Sequence, residues 1–148
     1  MYRRILVTLD GSDRAELALT HATRMAAQFD SELVLLRVVV SPYSIAAPDM
    51  VLASYDSDHE ALRAHAGEYL DRIVTRLAEE GYRVRSVTSE GPVAEVILDH
   101  AEALDVDLIV MSTHGRGGVS RWVYGSVADR VLQGASCPVL LVRVGNTS

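Results

Sequence analysis

Short apolar runs alternate along the chain with longer stretches in which apolar positions recur every three or four residues, the spacings of buried strands and amphipathic helices respectively. Ile5-Leu6-Val7 is the first run, and it leads into Asp10-Gly11-Ser12-Asp13, a cluster of turn and helix-cap residues. From Asp13, with Glu16 completing a capping box, Ala15, Ala18, Leu19, Ala22, Ala26 and Phe29 trace one buried helical face. Leu33 to Val40 is almost unbroken in its apolarity, as suits a central strand covered on both faces.

Ser41 to Asp56 holds Pro42 and Pro48, shows no period and reads as a long loop, which compact domains keep for function or motion. Ser57 and Glu60 form a second capping-box pair before a helix marked by Leu62, Ala66, Tyr69, Leu70, Ile73 and Leu77 and stopped by Gly81. Arg83 to Ser89 alternates imperfectly, as a strand near a sheet edge does. Pro92 opens a helix whose inner face carries Val93, Ile97, Ala101 and Leu104. Leu108 to Met111 is a fourth strand, and it opens into a loop running from Ser112 through Gly115, Gly117 and Gly118. Ser126 then caps a helix through Val127, Val131 and Leu132 to Gly134, before a last strand from Pro138 to Val144.

Strands that alternate with helices imply parallel pairing through right-handed crossovers. The expected fold is α/β: one doubly wound, five-stranded parallel sheet in the order 3-2-1-4-5, Rossmann-like, with helices on both faces. At 148 residues the chain makes a single domain, 1–148. Such sheets bind ligands beyond the carboxyl ends of their strands, where the winding reverses. Here that point lies between the segments that begin at Asp10 and Ser112, beside the richest glycine loop of the chain.

Composition narrows the chemistry. All 14 basic residues are arginine, which removes Schiff-base catalysis, the lysine of a Walker loop and the lysine of a phosphoreceiver domain. A net charge of −6 gives no field to gather long nucleic acids, so none is expected as a partner. Cys137 is the single cysteine, read as a core thiol, and the histidines lack metal-ligand spacing. Met1 to Arg4 passes directly into a strand, with neither a signal-peptide core nor a membrane span, so the expected location is the cytoplasm.

A loop rich in glycine brings backbone amides close to a ligand, and Gly125-Ser126 stands where a helix would begin with N–H groups unpaired. The pair can hold phosphates without lysine. A plain tight connection is the competing reading, and Asp129 suits an ordinary capping box with Ser126. His114 either touches phosphate or pins the loop, while Trp122 and Tyr124 pack the loop on the sheet.

From Leu108 onward, IVMSTHGRGGVSRWVYGSVADRVLQGASCPVLLVRV resembles the C-terminal signature of universal stress proteins, whose nucleotide-binding members carry G-x2-G-x9-G-[ST]. Gly115, nine further residues and Gly125-Ser126 match its second half, and Ser112 replaces its first glycine. The opening ILVTLDGSDRAELAL and the run LVLLRVVV extend the likeness over nearly the whole chain. The resemblance implies an adenine nucleotide alpha hydrolase-like fold and an ATP site, with magnesium on the phosphates. Asp10 would hold the ribose, Val38 would lie beside adenine, and Met111, Ser112, Gly115, Gly125, Ser126 and Val127 would lie near the ribose and phosphates; read by itself, Asp10 suits a ribose hydroxyl, a phosphate-bound magnesium ion or a plain turn in which it caps nearby amides. Arg116 is a further phosphate candidate. A β-carbon at Ser112 is expected either to narrow the approach to the sugar or to strain the backbone.

The family likeness also implies a homodimer through Pro138 to Val144, where an apolar sheet edge needs a partner. The resulting expectation is an ATP-binding regulatory module with slow hydrolysis at most, since no strong general base stands ready for phosphoryl transfer. The alternative is a dimeric interaction protein that binds no nucleotide.

Overall fold

The structure, a computed structural model, describes the backbone of residues 1–40, 52–113 and 125–143, and the side chains of these residues outside 52–59. Five strands and four helices alternate: β1 (Arg4–Thr8), α1 (Ala15–Phe29), β2 (Glu32–Val39), α2 (Leu52–Glu79), β3 (Arg83–Glu90), α3 (Val93–Ala103), β4 (Leu108–Ser112), α4 (Ser126–Gly134) and β5 (Val139–Val142). The strands form one parallel sheet in the order β3-β2-β1-β4-β5, as the pattern predicts.

Alternation along the strands sorts the core into two layers. Ile5, Val7, Leu33, Leu35, Leu108 and Val110 pack under α1 and α2, with Ala18, Ala22, Leu70 and Leu77 from the helices. Leu6, Val34, Leu36, Ile109 and Met111 pack on the other side against Ala94, Ile97, Ala128 and Val131 of α3 and α4. Both faces of β1 are therefore fully buried, which explains its continuous apolar run. At its start, the Asp107 carboxylate accepts hydrogen bonds from the amides of Arg3 and Arg4, at 2.8 and 3.0 Å. That contact ties the first strand to the turn before β4.

Three helices end through the same left-handed turn. Asp30 (φ 54°), Gly81 (φ 97°) and Asp105 (φ 52°) each let the next amide reach back five residues: Ser31 to Ala26, Tyr82 to Leu77 and Val106 to Ala101. Only the glycine among them was anticipated as a stop. Gly134 serves differently, because a β-carbon there would stand 2.6 Å from a Leu98 methyl. Its missing side chain lets α4 approach α3.

Several local expectations need correction. The long segment is shorter than Ser41 to Asp56, since α2 already begins at Leu52 and the Ser57/Glu60 pair lies inside it. The α1 capping box from Asp13 to Glu16 does not form. Ser12 supplies the cap instead, its hydroxyl accepting from the Ala15 amide at 3.3 Å. Phe29 leaves the buried face, is 43% exposed and meets the Tyr2 ring edge-on at 5.2 Å. The last strand spans Val139–Val142 rather than Pro138 to Val144, and Val144 lies outside the described residues.

The two sheet edges differ in chemistry. β3 carries Arg83 and Arg85, paired with Asp30 and Glu32, and Glu90 faces Arg63. Such charges discourage edge-to-edge pairing. On β5, the carbonyls of Pro138 and Val142 accept from the amides of Ile109 and Thr113, so the even-numbered residues bond inward. Val139, Leu141 and Arg143 thus turn their backbone groups outward.

Candidate functional site

The β1–α1 turn is built around Asp10. Its Oδ1 accepts the Ser12 amide at 2.9 Å and the Ser12 hydroxyl at 2.5 Å, an aspartate turn that orients the carboxylate at the carboxyl end of β1. Gly11 between them sits at φ 87°, a conformation that side chains rarely adopt. Leu9 extends the pairing with β2 through its amide to the Leu36 carbonyl, at 2.9 Å. Val38 lies two residues beyond Leu36, at the same end of the neighbouring strand.

On the other side of β1, Met111 and Ser112 are the last two residues of β4. Met111 is buried among the α3 and α4 side chains, and both Val38 and Val127 border that same apolar cluster. Three side chains from β2, β4 and α4 thereby meet one continuous apolar layer beside the Asp10 turn. Ser112 pairs in register with Val142 and has no positive φ, so its β-carbon is accommodated in regular strand without backbone strain. That removes one of the two obstacles expected from serine at this position.

Gly125 is the residue before α4, at φ 87° and ψ 149°, a region essentially restricted to glycine. Ser126 is the first helical residue rather than the cap, and among the described residues no side chain caps α4. Its supposed partner Asp129 instead accepts from the Gln133 amide group at 3.1 Å, so that capping box is absent. The first turn of α4 therefore presents backbone N–H groups and the positive end of the helix dipole. Gly115, Arg116, His114, Trp122 and Tyr124 lie outside the described residues.

Arg37 and Tyr69, neither of which the sequence assigned to the site, stand beside the Asp10 turn. Arg37, the one charge inside the β2 run, occupies the space a Gly11 side chain would need, with its guanidinium carbon 2.9 Å from the position of that β-carbon. The same guanidinium lies 5.5 Å from the centre of the Tyr69 ring, a cation–π contact. The Tyr69 hydroxyl is buried and has no hydrogen-bond partner among the described residues. Burial raises its pKa, with Glu16, Asp10 and Asp13 adding to the effect and Arg37 opposing it.

A raised tyrosine pKa contributes stability that is fully present below the ordinary value of 10.0 and is lost as pH climbs through the higher folded value. Tyr69→Phe is expected to reduce that alkaline loss and to leave neutral-pH stability unchanged or higher by up to about 1 kcal/mol, since an unsatisfied buried hydroxyl is removed. Urea denaturation at neutral pH and above pH 10 checks both signs. Cys137 is half-buried against the α3/α4 layer, and burial, then the Asp107 charge, raise its pKa, as a core thiol requires.

Two grooves elsewhere do not collect these residues. One runs between α1 and α2, lined by Glu16, Thr20, Thr23, Arg76 and Glu80; the other lies at the amino ends of β1 to β3, with Arg4, Glu32 and Arg83. Among the described residues no three His, Cys, Asp or Glu side chains gather to hold a metal ion, and no helix is long and apolar enough to cross a membrane.

The profile of the universal stress protein family matches residues 1–143. The chain belongs to that family. It is 37% identical to universal stress protein MJ0531 of Methanocaldococcus jannaschii over 144 residues, covering 97% of this chain and 83% of that protein. It is 32% identical to universal stress protein YxiE of Bacillus subtilis, covering 97% and 100% respectively. Among solved structures, hypothetical protein MJ0577 superposes with a TM-score of 0.83 at 29% identity over 99% of each chain. Universal stress proteins solved with cAMP (TM-score 0.64, 19% identity) and, from Archaeoglobus fulgidus, with dAMP (TM-score 0.65, 22% identity) share the fold. The first covers 96% of this chain and 97% of its own, the second 95% and 97%.

Proposed function

We propose that this universal stress protein binds an adenine nucleotide, ATP foremost, at the carboxyl ends of β1, β2 and β4. The observation that carries the reading is the convergence there of one carboxylate turn, one apolar wall and one uncapped helix start. Asp10 accepts the ribose hydroxyls, as a fixed carboxylate does. Val38, Met111 and Val127 offer the flat apolar surface that a purine needs, with Ser112 beside the sugar. The amides of Ser126 and Val127, freed by the glycine-only geometry at Gly125, receive phosphate oxygens. Gly115 and Arg116 add an amide and a guanidinium from the preceding loop.

The two family structures solved with cAMP and dAMP support this ligand class. Magnesium would shield the triphosphate when bound. With no protein cluster to hold it among the described residues, it would be held chiefly by the phosphates themselves. Binding is the function in this reading; hydrolysis is slow at most, and the ligand acts as a regulatory signal within a cytoplasmic stress response. Heat release of copurified nucleotide, then titration with ATP and AMP in magnesium while following Trp122 emission, tests it. Saturable binding supports the reading, and no released nucleotide with no response favours the nucleotide-free interaction protein.

The apolar β5 edge supports a homodimer, with the outward groups of Val139, Leu141 and Arg143 pairing with a second copy. Leu141→Pro removes one outward N–H while leaving the inward bonds to β4 in place. It is expected to convert dimer to monomer in sedimentation velocity with the far-UV circular dichroism retained.

A further inference from the structure

We infer that Arg37 is a positioning residue for the Asp10 turn, and that it sets how strongly the site distinguishes a ribose from a sugar without hydroxyls. The second half rests on the nucleotide reading above; the first does not. Strand alternation directs Val38 into the α3/α4 layer and Arg37 to the opposite face, where the guanidinium fills the volume left by the absent side chain of Gly11. Tyr69 of α2 backs it from below at 5.5 Å.

A left-handed glycine turn is soft, because glycine has the widest choice of backbone conformations. Here one planar cation is wedged against that glycine and stands over an aromatic ring, in surroundings that Asp10, Asp13 and Glu16 make acidic. Arg37 is partly buried, and its guanidinium neighbours the turn that aims Asp10. The wedge restricts the turn to the arrangement in which Ser12 bonds the Asp10 carboxylate. The planar fork matters as well as the charge, since its nitrogens and central carbon together occupy the space beside Gly11 while it stands over the Tyr69 ring.

The test uses Arg37→Met, Arg37→Lys, Tyr69→Leu and Tyr69→Phe in the full chain. Without nucleotide, amide exchange at Ser12 is expected to accelerate about tenfold in Arg37→Met and Tyr69→Leu, with Leu6 and Val34 amides unchanged. Tyr69→Phe keeps the aromatic face and is expected to match wild type. If Arg37→Met does not fold, Arg37→Lys carries the same readout, since it retains charge and stem but not the fork. Affinities for ATP and 2′,3′-dideoxy-ATP are then compared: the wild-type preference for the ribose is expected to shrink toward unity in Arg37→Met, Arg37→Lys and Tyr69→Leu and to persist in Tyr69→Phe.

Unchanged Ser12 exchange in both arginine variants overturns the proposal, and an unchanged sugar preference overturns its second half. Should wild type bind neither nucleotide while Ser12 exchange still responds, the ATP reading fails and the positioning role stands.

Discussion

Gly125→Ala is expected to weaken ATP binding by about a hundredfold and to lower the unfolding free energy by about 1–3 kcal/mol, the cost of holding a side chain in a glycine-only region. Among the described residues no atom lies within 4 Å of the added β-carbon, so the expected damage comes from the backbone conformation. Relief of that strain rotates the peptide ahead of α4 and turns its first amides away from the phosphates. Two charge-assisted hydrogen bonds at about 1.5 kcal/mol each account for the hundredfold loss. Calorimetric titration and urea denaturation measure the two effects. Gly67→Ala is the control, because Gly67 lies within α2, has no positive φ and, among the described residues, no atom within 4 Å of an added β-carbon. That change is expected to stabilise by about 0.5–1 kcal/mol and leave ATP affinity untouched.

Leu6→Ala is expected to cost about 2–5 kcal/mol, the range for emptying a tightly packed leucine site. Leu6 is fully buried at the centre of the sheet, in the layer it shares with Met111 and bordered by Val38 and Val127. Domains of this size carry roughly 5–15 kcal/mol in all, so the variant loses a large share of its stability and unfolds at a clearly lower denaturant concentration. ATP affinity falls along with it, since the cavity opens beneath the wall proposed for the purine. Leu17→Ala, at a site 45% exposed, changes stability by no more than about 0.5 kcal/mol. Chemical denaturation of the pair separates burial from composition.

The sheet order was legible because period and run length differ sharply between buried strands and amphipathic helices. Leu33 to Leu36 and Leu108 to Met111 are apolar and buried on both faces, as a central parallel strand requires. Caps were less legible, because serine and aspartate at a helix start offer competing partners. Asp10 and Ser12 bond each other, leaving Ser12 and not Asp13 over Ala15, and Gly125 takes the boundary assigned to Ser126. Asp30 and Asp105 ended helices unannounced, since aspartate tolerates the left-handed turn without advertising it as glycine does. The start of α2 was missed because nothing periodic marks Leu52 to Asp56.

Of the site, Asp10 and Ser112 followed from topology, since they stand where a doubly wound sheet keeps its crevice, whereas Val38 and Met111 were named only through the family resemblance and lie at the same ends of β2 and β4. The backbone state of Ser112 could not be read from its side chain; pairing with Val142 shows an ordinary strand residue. Arg37 escaped notice for the opposite reason. Its contacts come from residues 26 positions before it and 32 after it, Gly11 and Tyr69, and no local pattern joins them.

An amide-resolved NMR titration with ATP and magnesium tests the central claim most directly. Saturable shifts concentrated at Asp10 to Ser12, Val38, Met111, Ser112 and Gly125 to Val127, with the amino ends of the strands unmoved, are the predicted result. Saturable shifts confined to the α1–α2 groove or to the Arg4, Glu32 and Arg83 rim, or no shifts at millimolar nucleotide, would contradict it.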